Sequence, residues 1–430
     1  MKIAIYTLGC KVNQYETQAM ETILRQRGHE LVDFEDQADA YIINTCTVTA
    51  VSDKKSRQAI RRCRRLNPEA VVAVCGCYAQ TTPEAVEALD VDLIYGTGDR
   101  MQFLDDLESA VHGRQKVNVD EVMARRSFEF LPAGGLEGRT RCMLKVEDGC
   151  VNFCTYCTIP YARGPVRSLG LDQAVAEARR MEEQGYREIV LTGIEISSWG
   201  RDLRNGLSLI DLIEAVCQAV PALRIRLGSL EPRTITEDFC TRAAKLPNLC
   251  PHFHLSLQSG CDATLKRMNR KYDTARYLES CALLRQHFDR PAITTDLITG
   301  FPGETEEEFS ATLDFIQRAN FSAMHIFPYS RRSGTPAYDM PNQVPMVEKE
   351  ERAHRAAQVA AQMEADYLAH YVGKTLPVLF EEEKDGLWRG HAPNYVEIRC
   401  KGENLHNALR EVLIESADGS LLYGKLVEQA

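Results

Sequence analysis

Three cysteines close together in the chain have the spacing that points most directly to chemistry. Cys150, Cys154 and Cys157 form the pattern C-x3-C-x2-C, just after a strand-like run at residues 142–147. Three thiols this close cannot all pair with one another in disulfides. Three thiolates do suit a cubic iron–sulfur cluster in which one iron keeps no protein ligand. The sequence therefore predicts such a cluster on these three residues.

The composition limits what else the chain can be. With 430 residues it is too long for one ordinary core, and 44% hydrophobic and 26% charged residues are typical of globular domains. Its 15 cysteines favour metal ligation over disulfides in a reducing compartment. We see no signal peptide and no run that is long and apolar enough to span a bilayer, so we expect a cytoplasmic protein without membrane contact. A net charge of −10 argues against general nucleic-acid binding but leaves room for local basic patches.

Residues 1–112 alternate apolar runs with amphipathic segments, which predicts a parallel α/β domain. The predicted strands are residues 3–8, 40–44, 71–75 and 92–95, and the predicted helices are residues 14–26 and 53–66. Cys10, Cys46 and Cys77 follow the first three of these strands. Because ligands bind beyond the carboxyl ends of such strands, these thiols can form a second cluster site with an open iron. Cys75 is an alternative to Cys77, but as the last strand residue it is expected to point into the sheet, and Cys77 is expected in the loop.

The rest of the chain divides into three further parts by its pattern. Residues 113–139 are polar and turn-rich, with a turn signal at 132–135, and predict a linker. Residues 140–371 contain six strand–helix units that suit a partial, open (βα)6 barrel, followed by a bridging helix at 347–371. Residues 372–430 contain five short strands separated by turns, which predict a small β-barrel.

Two motifs at the predicted carboxyl ends of barrel strands are candidates for ligand contact. In Thr192-Gly193-Ile194-Glu195, the glycine lets the backbone approach a ligand, and Glu195 is either a ligand contact or a surface-turn residue. The run from Asp296 to Glu304 contains Gly300, which either lines a pocket or shapes the turn into the next helix. His254 lies within a predicted strand, where a histidine is more often a core residue than a ligand.

The N-terminal cysteines, the C-x3-C-x2-C triplet and these motifs together resemble the methylthiotransferase family of radical S-adenosylmethionine (SAM) enzymes, over nearly the whole chain. The resemblance implies two [4Fe-4S] clusters. The catalytic one, on Cys150, Cys154 and Cys157, has an open iron that binds SAM, and the auxiliary one is held by Cys10, Cys46 and Cys77. It also implies that the SAM pocket includes Gly193, Glu195, Asp296 and Gly300. The C-terminal barrel resembles the TRAM domain, which usually binds tRNA, although here acidic residues outnumber basic ones.

Within that family, the run Gly9-Cys10-Lys11-Val12-Asn13 looks like the branch that acts on threonylcarbamoyladenosine in tRNA. Other branches tend to read G-C-Q-M-N, for isopentenyladenosine, or G-C-P-K-N, for a ribosomal-protein aspartate. We therefore expect methylthio transfer to C2 of N6-threonylcarbamoyladenosine at tRNA position 37, in the anticodon loop. The expected partners of this monomer are a reductant such as flavodoxin or ferredoxin and a sulfur donor. The substrates of the other two branches remain alternatives, as does a non-catalytic iron–sulfur RNA-binding protein, against which the SAM-type motifs speak.

Basic residues cluster on the predicted helix at 53–66 and around the predicted barrel mouth. The helix carries Lys54, Lys55, Arg57, Arg61, Arg62, Arg64 and Arg65. Such a run is either a solvated face or a surface for RNA phosphates. The mouth carries Arg163, Arg167, Lys266, Arg267, Arg270, Lys271, Arg331 and Arg332. Some of these are expected to meet phosphates and most to be ordinary surface charges.

Overall fold

The computed structural model describes residues 1–132 and 140–427. Its N-terminal strands are β1 (Lys2–Thr7), β2 (Glu30–Val32), β3 (Ala40–Thr45), β4 (Val71–Gly76), β5 (Leu93–Tyr95) and β6 (Lys116–Asn118). The helices between them are α1 (Lys11–Gln26), α2 (Ala50–Leu66), α3 (Cys77–Thr81), α4 (Pro83–Glu87) and α5 (Arg100–Ser109). The strands form one parallel sheet in the order β2-β1-β3-β4-β5-β6. The predicted parallel α/β architecture is confirmed.

This sheet differs from the prediction in two places that bear on the site. β6 lies within the predicted linker, so the sheet continues beyond residue 112, and the turn signal at 133–135 lies outside the described residues. A three-residue edge strand with two exposed residues has no hydrophobic pattern that would reveal it. Cys77 opens the short helix α3 instead of lying in a loop, because Gly76, at φ +98°, turns the chain directly from β4 into that helix.

The middle of the chain forms two parallel sheets. The strands are β7 (Arg141–Lys145), β8 (Glu147–Asp148), β9 (Arg167–Ser168), β10 (Glu188–Thr192), β11 (Arg224–Leu227), β12 (Ser229–Leu230), β13 (His252–Leu255), β14 (Ala292–Thr299) and β15 (Ala323–Pro328). One sheet has the order β11-β10-β7 and the other β12-β13-β14-β15, and a bridge between Ile225 and Leu249 joins them. β8 and β9 form a separate two-stranded pair beside them. The long strands thus curve into an open barrel of parallel strands, as the pattern predicts.

Helices surround this open barrel and close its apolar core. They are α6 (Ile159–Arg163), α7 (Leu171–Glu183), α8 (Leu209–Ala219), α9 (Glu237–Ala243), α10 (Asp262–Arg267), α11 (Thr274–His287), α12 (Glu306–Ala319) and α13 (Met346–Ala369). Ala178 of α7, Leu212 of α8 and Tyr277 of α11 belong to the same buried cluster as Ile189 of β10. In the described ranges, no helix combines the length and the apolarity that crossing a membrane requires.

The C-terminal part is a closed five-stranded β-barrel, in agreement with the prediction. Its strands are β16 (Thr375–Lys384), β17 (Leu387–His391), β18 (Glu397–Cys400), β19 (Leu409–Asp418) and β20 (Leu421–Leu426), in the order β16-β17-β18-β20-β19. It is fastened to the open barrel by Arg224, which donates hydrogen bonds to the carbonyl oxygens of His391 (2.9 Å) and Pro377 (2.7 Å). Asn394 also donates to the Tyr367 hydroxyl of α13. The small barrel therefore forms one wall of the space inside the open barrel.

Candidate active site

The three N-terminal cysteines lie at the carboxyl edge of the first sheet. Cys10 follows β1, Cys46 follows β3, and Cys77 follows β4. The sheet grows outward in opposite directions from β1 and β3. Such a switch point is where open parallel sheets form a crevice for a ligand. The sheet topology therefore puts these cysteines where a bound group is expected.

Two glycines allow the cysteine loops to approach one another. Gly9 and Gly76 adopt φ values of +104° and +98°, which favour glycine. A Cβ atom on Gly9 would lie 2.7 Å from Sγ of Cys46, and one on Gly76 would lie 2.5 Å from the carbonyl oxygen of Thr45. Any larger residue at these positions would push the loops apart.

Cys77, and not Cys75, is grouped with the other two thiols. Burial raises the pKa of Cys77 to about 12 against the opposing charge of Arg163, and the neighbouring thiols of Cys10 and Cys46 add to the rise. Cys75 lies in the apolar core that β4 shares with α1 and α5. Val74, the preceding strand residue, belongs to the apolar core on the opposite face of the sheet, as the alternation of strand residues requires. Because a ligand must be a thiolate, iron bound here would displace the proton of Cys77.

The cysteine triplet forms a compact loop near the carboxyl end of β7. The amide of Cys150 donates to the carbonyl of Gly164 (2.9 Å), and the amide of Cys157 donates to the carbonyl of Cys154 (2.9 Å). Burial raises the pKa of Cys150 to about 12, and the thiols of Cys157 and Cys154 contribute to the rise. Arg270 donates a hydrogen bond to Sγ of Cys154 at 3.2 Å. The three thiols are therefore close enough to act on one another.

Both thiol sets suit a cluster better than a single ion. Nowhere in the described ranges do three His, Cys, Asp or Glu side chains stand close enough to hold one metal ion. A four-iron cube spreads its thiolates over a wider triangle than one ion does, and thiolates are the ligands that such cubes use. Each set offers three thiols, which leaves one iron of a cube for another ligand.

A cavity of about 680 Å³ occupies the interior of the open barrel. All three parts of the chain line it: Cys10 and Lys11 from the N-terminal sheet, Gly193 and Asp296 from the barrel strands, and Tyr395 from the C-terminal barrel. Its volume is within the range of small-molecule and cofactor sites. The cavity therefore extends from Cys10 to the interior faces of the barrel strands.

Glu195 has the unused acceptor that an amino group of a ligand would need. Its Oε2 accepts a hydrogen bond from Ser198, whereas its buried Oε1 has no hydrogen-bond partner within the described residues. Burial raises the pKa of Glu195 against the opposing effect of the Ser198 hydrogen bond. Its charge also acts on Cys150. This orphaned oxygen beside the triplet, next to Gly193 at the cavity wall, fits the amino group of SAM.

The other two predicted SAM contacts lie in different surroundings. Oδ2 of Asp296 faces the cavity 3.3 Å from Nε2 of His254. Gly300 is buried, and a Cβ there would lie 2.3 Å from Cγ of Lys349, so its bare Cα makes room for α13. Gly300 does not line the cavity, and its predicted role stays a prediction. Gly193 packs against Glu147 and leaves no room for a side chain, because a Cβ atom there would lie 2.8 Å from the Glu147 carbonyl oxygen.

Two histidines that the sequence did not single out as ligands also line the cavity. His254, expected as a core residue, exposes its ring there, with Nδ1 3.0 Å from the Thr294 hydroxyl. His252 is bonded to the same hydroxyl, at 3.1 Å. The interior face of a barrel strand reads like a core face in the sequence, so burial in a cavity wall has no separate signal.

A buried ionic network joins the two cysteine sites. Arg163, six residues after Cys157, is fully buried and donates to Glu16 of α1 and to Oδ1 of Asn13 at 2.7 Å. Its positive charge also acts on the thiol of Cys77, whose pKa it lowers against the effect of burial. Burial raises the pKa of Glu16, but Arg163, Arg100 and Lys145 together outweigh burial and lower that pKa well below its usual range. One side chain of the triplet segment thus reaches the auxiliary site.

Several arginines predicted at the barrel mouth are not available to RNA. Arg163 and Arg167 are buried beside Asp148, and Arg332 pairs with Asp53 at 2.7 Å. Their partners lie far away in the sequence, which is why the sequence could not reveal the pairing. The exposed cations of that set are Lys266, Lys271 and Arg331.

The N-terminal sheet and the open barrel each match a known protein family. Residues 2–96 match the model described as uncharacterized protein family UPF0004, and residues 144–316 match the radical SAM superfamily. Two solved structures of the radical SAM methyltransferase TsrM from Kitasatospora setae share the fold. The one with cobalamin and a [4Fe-4S] cluster bound has a TM-score of 0.56 at 18% identity, over 78% of this chain and 77% of that one. The one with tryptophan and a SAM analogue has a TM-score of 0.58 at 17% identity, over 78% and 75%. The fold and the site define a radical SAM enzyme.

Curated relatives identify the branch of that superfamily. The threonylcarbamoyladenosine tRNA methylthiotransferase MtaB of Bacillus subtilis (strain 168) is 41% identical over 93% of this chain and 90% of its own. The protein of that name from Aquifex aeolicus (strain VF5) is 38% identical over 96% of this chain and all of its own. The tRNA-2-methylthio-N(6)-dimethylallyladenosine synthase of Acetivibrio thermocellus is 34% identical over 98% and 86%. The chain belongs to the methylthiotransferase family of radical SAM enzymes, which use two [4Fe-4S] clusters and SAM.

Proposed function

We propose that this enzyme adds a methylthio group to C2 of N6-threonylcarbamoyladenosine at tRNA position 37. The observation that carries the proposal is the shared cavity, into which both Cys10 and the turn at Gly193 open. A base in this cavity lies between Cys10 and the turn at Gly193, whose neighbour Glu195 acts electrostatically on Cys150 of the triplet. The names of the relatives at 41% and 38% identity support this substrate over dimethylallyladenosine, whose relative is 34% identical.

In this proposal, Cys150, Cys154 and Cys157 hold the catalytic cluster, and Cys10, Cys46 and Cys77 hold the auxiliary one. When bound, the clusters and SAM supply the one-electron chemistry and the methylthio group that an unactivated C–H bond requires. The chain's own residues orient these groups. Oε1 of Glu195 accepts from the amino group of SAM, and Asp296 and Gly193 form the adjoining wall. Arg270 holds Cys154 by its hydrogen bond at 3.2 Å, and hydrogen bonds to cluster sulfurs raise the reduction potential.

The proposed division of the chain keeps the predicted parts, except that β6 extends the N-terminal domain from residue 112 to residue 118 and shortens the linker that ends at residue 139. A radical SAM core at 140–371 and a TRAM-like domain at 372–430 follow. The C-terminal barrel contributes to tRNA binding through its position at the wall of the central cavity. Its charge does not favour RNA, because its acidic residues outnumber its basic ones. Trp388 is buried and donates to the Gly402 carbonyl, and Tyr395 stacks on His252 and His391, so neither ring offers a free face to a base. We propose a monomer that receives electrons from a flavodoxin or ferredoxin and sulfur from a separate donor.

The cluster assignment predicts the iron content. Anaerobically reconstituted protein is expected to hold about eight irons per chain, because each site suits a four-iron cube. Replacing Cys150, Cys154 and Cys157 together by alanine should lower this to about four, as measured by iron analysis and absorption. The control is Cys63→Ala, a buried thiol of α2 away from both sites, which should keep about eight. About four irons in the parent would refute the two-cluster assignment.

The exposed side of α2 is the proposed phosphate-binding surface. Arg64 is excluded from it because it pairs with Asp92 at 2.7 Å and Asp90 at 3.1 Å. The helix begins beside the barrel mouth, where the amide of Ala50 donates to the Ser330 hydroxyl at 3.2 Å. The remaining exposed cations that lack such partners are Lys54, Lys55, Arg61 and Arg65.

Replacing these four cations by glutamine is expected to weaken tRNA binding and flatten its salt dependence. Each lost phosphate contact should lower the slope of log K against log salt by about 0.7 to 0.9. The measurement is a binding titration at several salt concentrations. A control with Arg179→Gln and Lys245→Gln, exposed cations on the outer layer of the barrel, should leave the slope as it is. An equal slope in the four-site variant would mean that this side of α2 is only solvated.

A further inference from the structure

The cavity contains one cation that the proposed chemistry leaves unused. Lys11 follows Cys10 directly and lines both the central cavity and a neighbouring cavity of about 500 Å³. Within residues 1–132 and 140–427, no carboxylate forms an ion pair with Lys11, and no other Lys or Arg lines the central cavity. A cation that lines a cavity and has no ion-pair partner gives the cavity wall a positive charge, which attracts an anionic ligand.

The cations beside Lys11 are already paired. Arg226 and Arg141 lie over the ring of Tyr395, at 4.6 Å and 5.4 Å from its centroid, and Lys11 is within electrostatic reach of all three. Nε and Nη2 of Arg226 donate to the carboxylate of Glu188, at 2.7 Å and 3.0 Å. Arg141 pairs with Glu381 at 2.8 Å. Of the three cations, Lys11 is therefore the one whose charge no ion pair within the described residues balances.

The acidic residues of the central cavity are also accounted for. Glu397 pairs with Arg389 at 2.9 Å and with Arg399 at 3.0 Å. Asp296 faces His254. Burial raises the pKa of Glu364, which favours its neutral form. These groups leave the charge of Lys11 uncancelled.

We propose that Lys11 binds the carboxylate of the N6 substituent of the target adenosine and thereby selects a substrate that carries an anionic group there. This proposal rests on the proposed function, in which the substituent is threonylcarbamoyl. C2 and N6 of adenine lie on the same edge of the base, on either side of N1. A base that presents C2 to the Cys10 site therefore presents its N6 substituent to the same side of the cavity, where Lys11 follows Cys10. A dimethylallyl group has no charge for Lys11 to bind.

The test compares two anticodon stem-loop RNAs that differ only in charge. One carries threonylcarbamoyladenosine and the other its neutral methyl ester. The parent, with both clusters and without SAM, is expected to bind the carboxylate RNA about tenfold to a hundredfold more tightly, the range for a hydrogen bond between charged groups. Lys11→Gln should lose this preference by weakening only the carboxylate RNA. Lys11→Arg keeps the charge and should keep the preference.

Two controls separate this role from a structural one. Lys54→Gln, on the exposed side of α2, should weaken both RNAs by the same factor. Iron content should be equal in the parent and in Lys11→Gln, since Lys11 adjoins Cys10. A parent without preference, or a Lys11→Gln variant that retains it, overturns the proposal. Methylthio product on the carboxylate RNA is measured separately. Its absence would count against the proposed function, whereas the binding preference reports on Lys11 alone.

Discussion

Alanine at Cys10, Cys46 and Cys77 together is expected to abolish methylthio transfer and to leave reductive cleavage of SAM in place. In the proposed assignment, cleavage of SAM would need only the cluster held by Cys150, Cys154 and Cys157, which the substitution does not touch. Sulfur insertion would need the cluster held by Cys10, Cys46 and Cys77, because the sulfur of SAM leaves with methionine. Anaerobic turnover with dithionite and threonylcarbamoyl-modified tRNA, read by mass spectrometry, should give 5′-deoxyadenosine more slowly than the parent and no methylthio product.

Single variants of the neighbouring cysteines make this test sharper. Cys75→Ala should behave nearly like the parent, because Cys75 lies in the apolar core with α1 and α5. Cys77→Ala should lose methylthio transfer, because Cys77 stands beside Cys10 and Cys46. Methylthio product from the triple variant would refute the auxiliary assignment. An active Cys77→Ala together with an inactive Cys75→Ala would show that the other thiol is the ligand.

The elements that place the cysteines could be predicted because their patterns are local. The strand–helix units of the open barrel could be predicted because elements such as β10, β11 and α11 are each an apolar or amphipathic run with clear ends. The order of these elements then predicts parallel sheets, with Cys10 and Cys150 at carboxyl edges. The short strand β6 was not predicted, because it forms by pairing with β5 and its own residues show no strand pattern.

The contacts inside the site could not be predicted, because they join distant parts of the chain. Arg163 and Arg270 look like exposed loop cations in the sequence, yet one is bonded to Glu16 and the other to Cys154. Lys11 marks a branch of the family by resemblance. It lacks an ion pair because the nearby acids are bound to Arg226 and Arg141 instead, which only the fold shows. A charge in the sequence shows what it can bind only once its neighbours are known.

Glu16→Gln is expected to destabilise the protein strongly, because it removes the acid at the centre of the buried network. Glu16 is 1% exposed, and its carboxylate accepts from Arg163, from Arg100 at 3.0 Å and from Lys145 at 3.4 Å. Without it, these cations remain buried with too few acids around them. Removing one partner of such a network costs about 3–5 kcal/mol. The thermal midpoint of the reconstituted protein should therefore fall by about 3–6 °C.

Lowering the pH should destabilise the parent protein, as Glu16→Gln does at neutral pH. The folded-state pKa of Glu16 lies well below that of the unfolded chain, because its three cations outweigh the effect of burial. The contribution of Glu16 to the free energy of unfolding is therefore fully present above about pH 4.5. It is lost as the pH falls through the folded-state pKa. Glu16→Gln should remove this part of the acid sensitivity, so the midpoints of the two proteins should converge at low pH. Glu87→Gln, an exposed acid of α4, should change the midpoint little at any pH. If Glu16→Gln stayed as stable as this control at neutral pH, Asp148 alone would suffice for the network. The position of the Arg163 side chain near Cys77 would then not depend on Glu16 of α1.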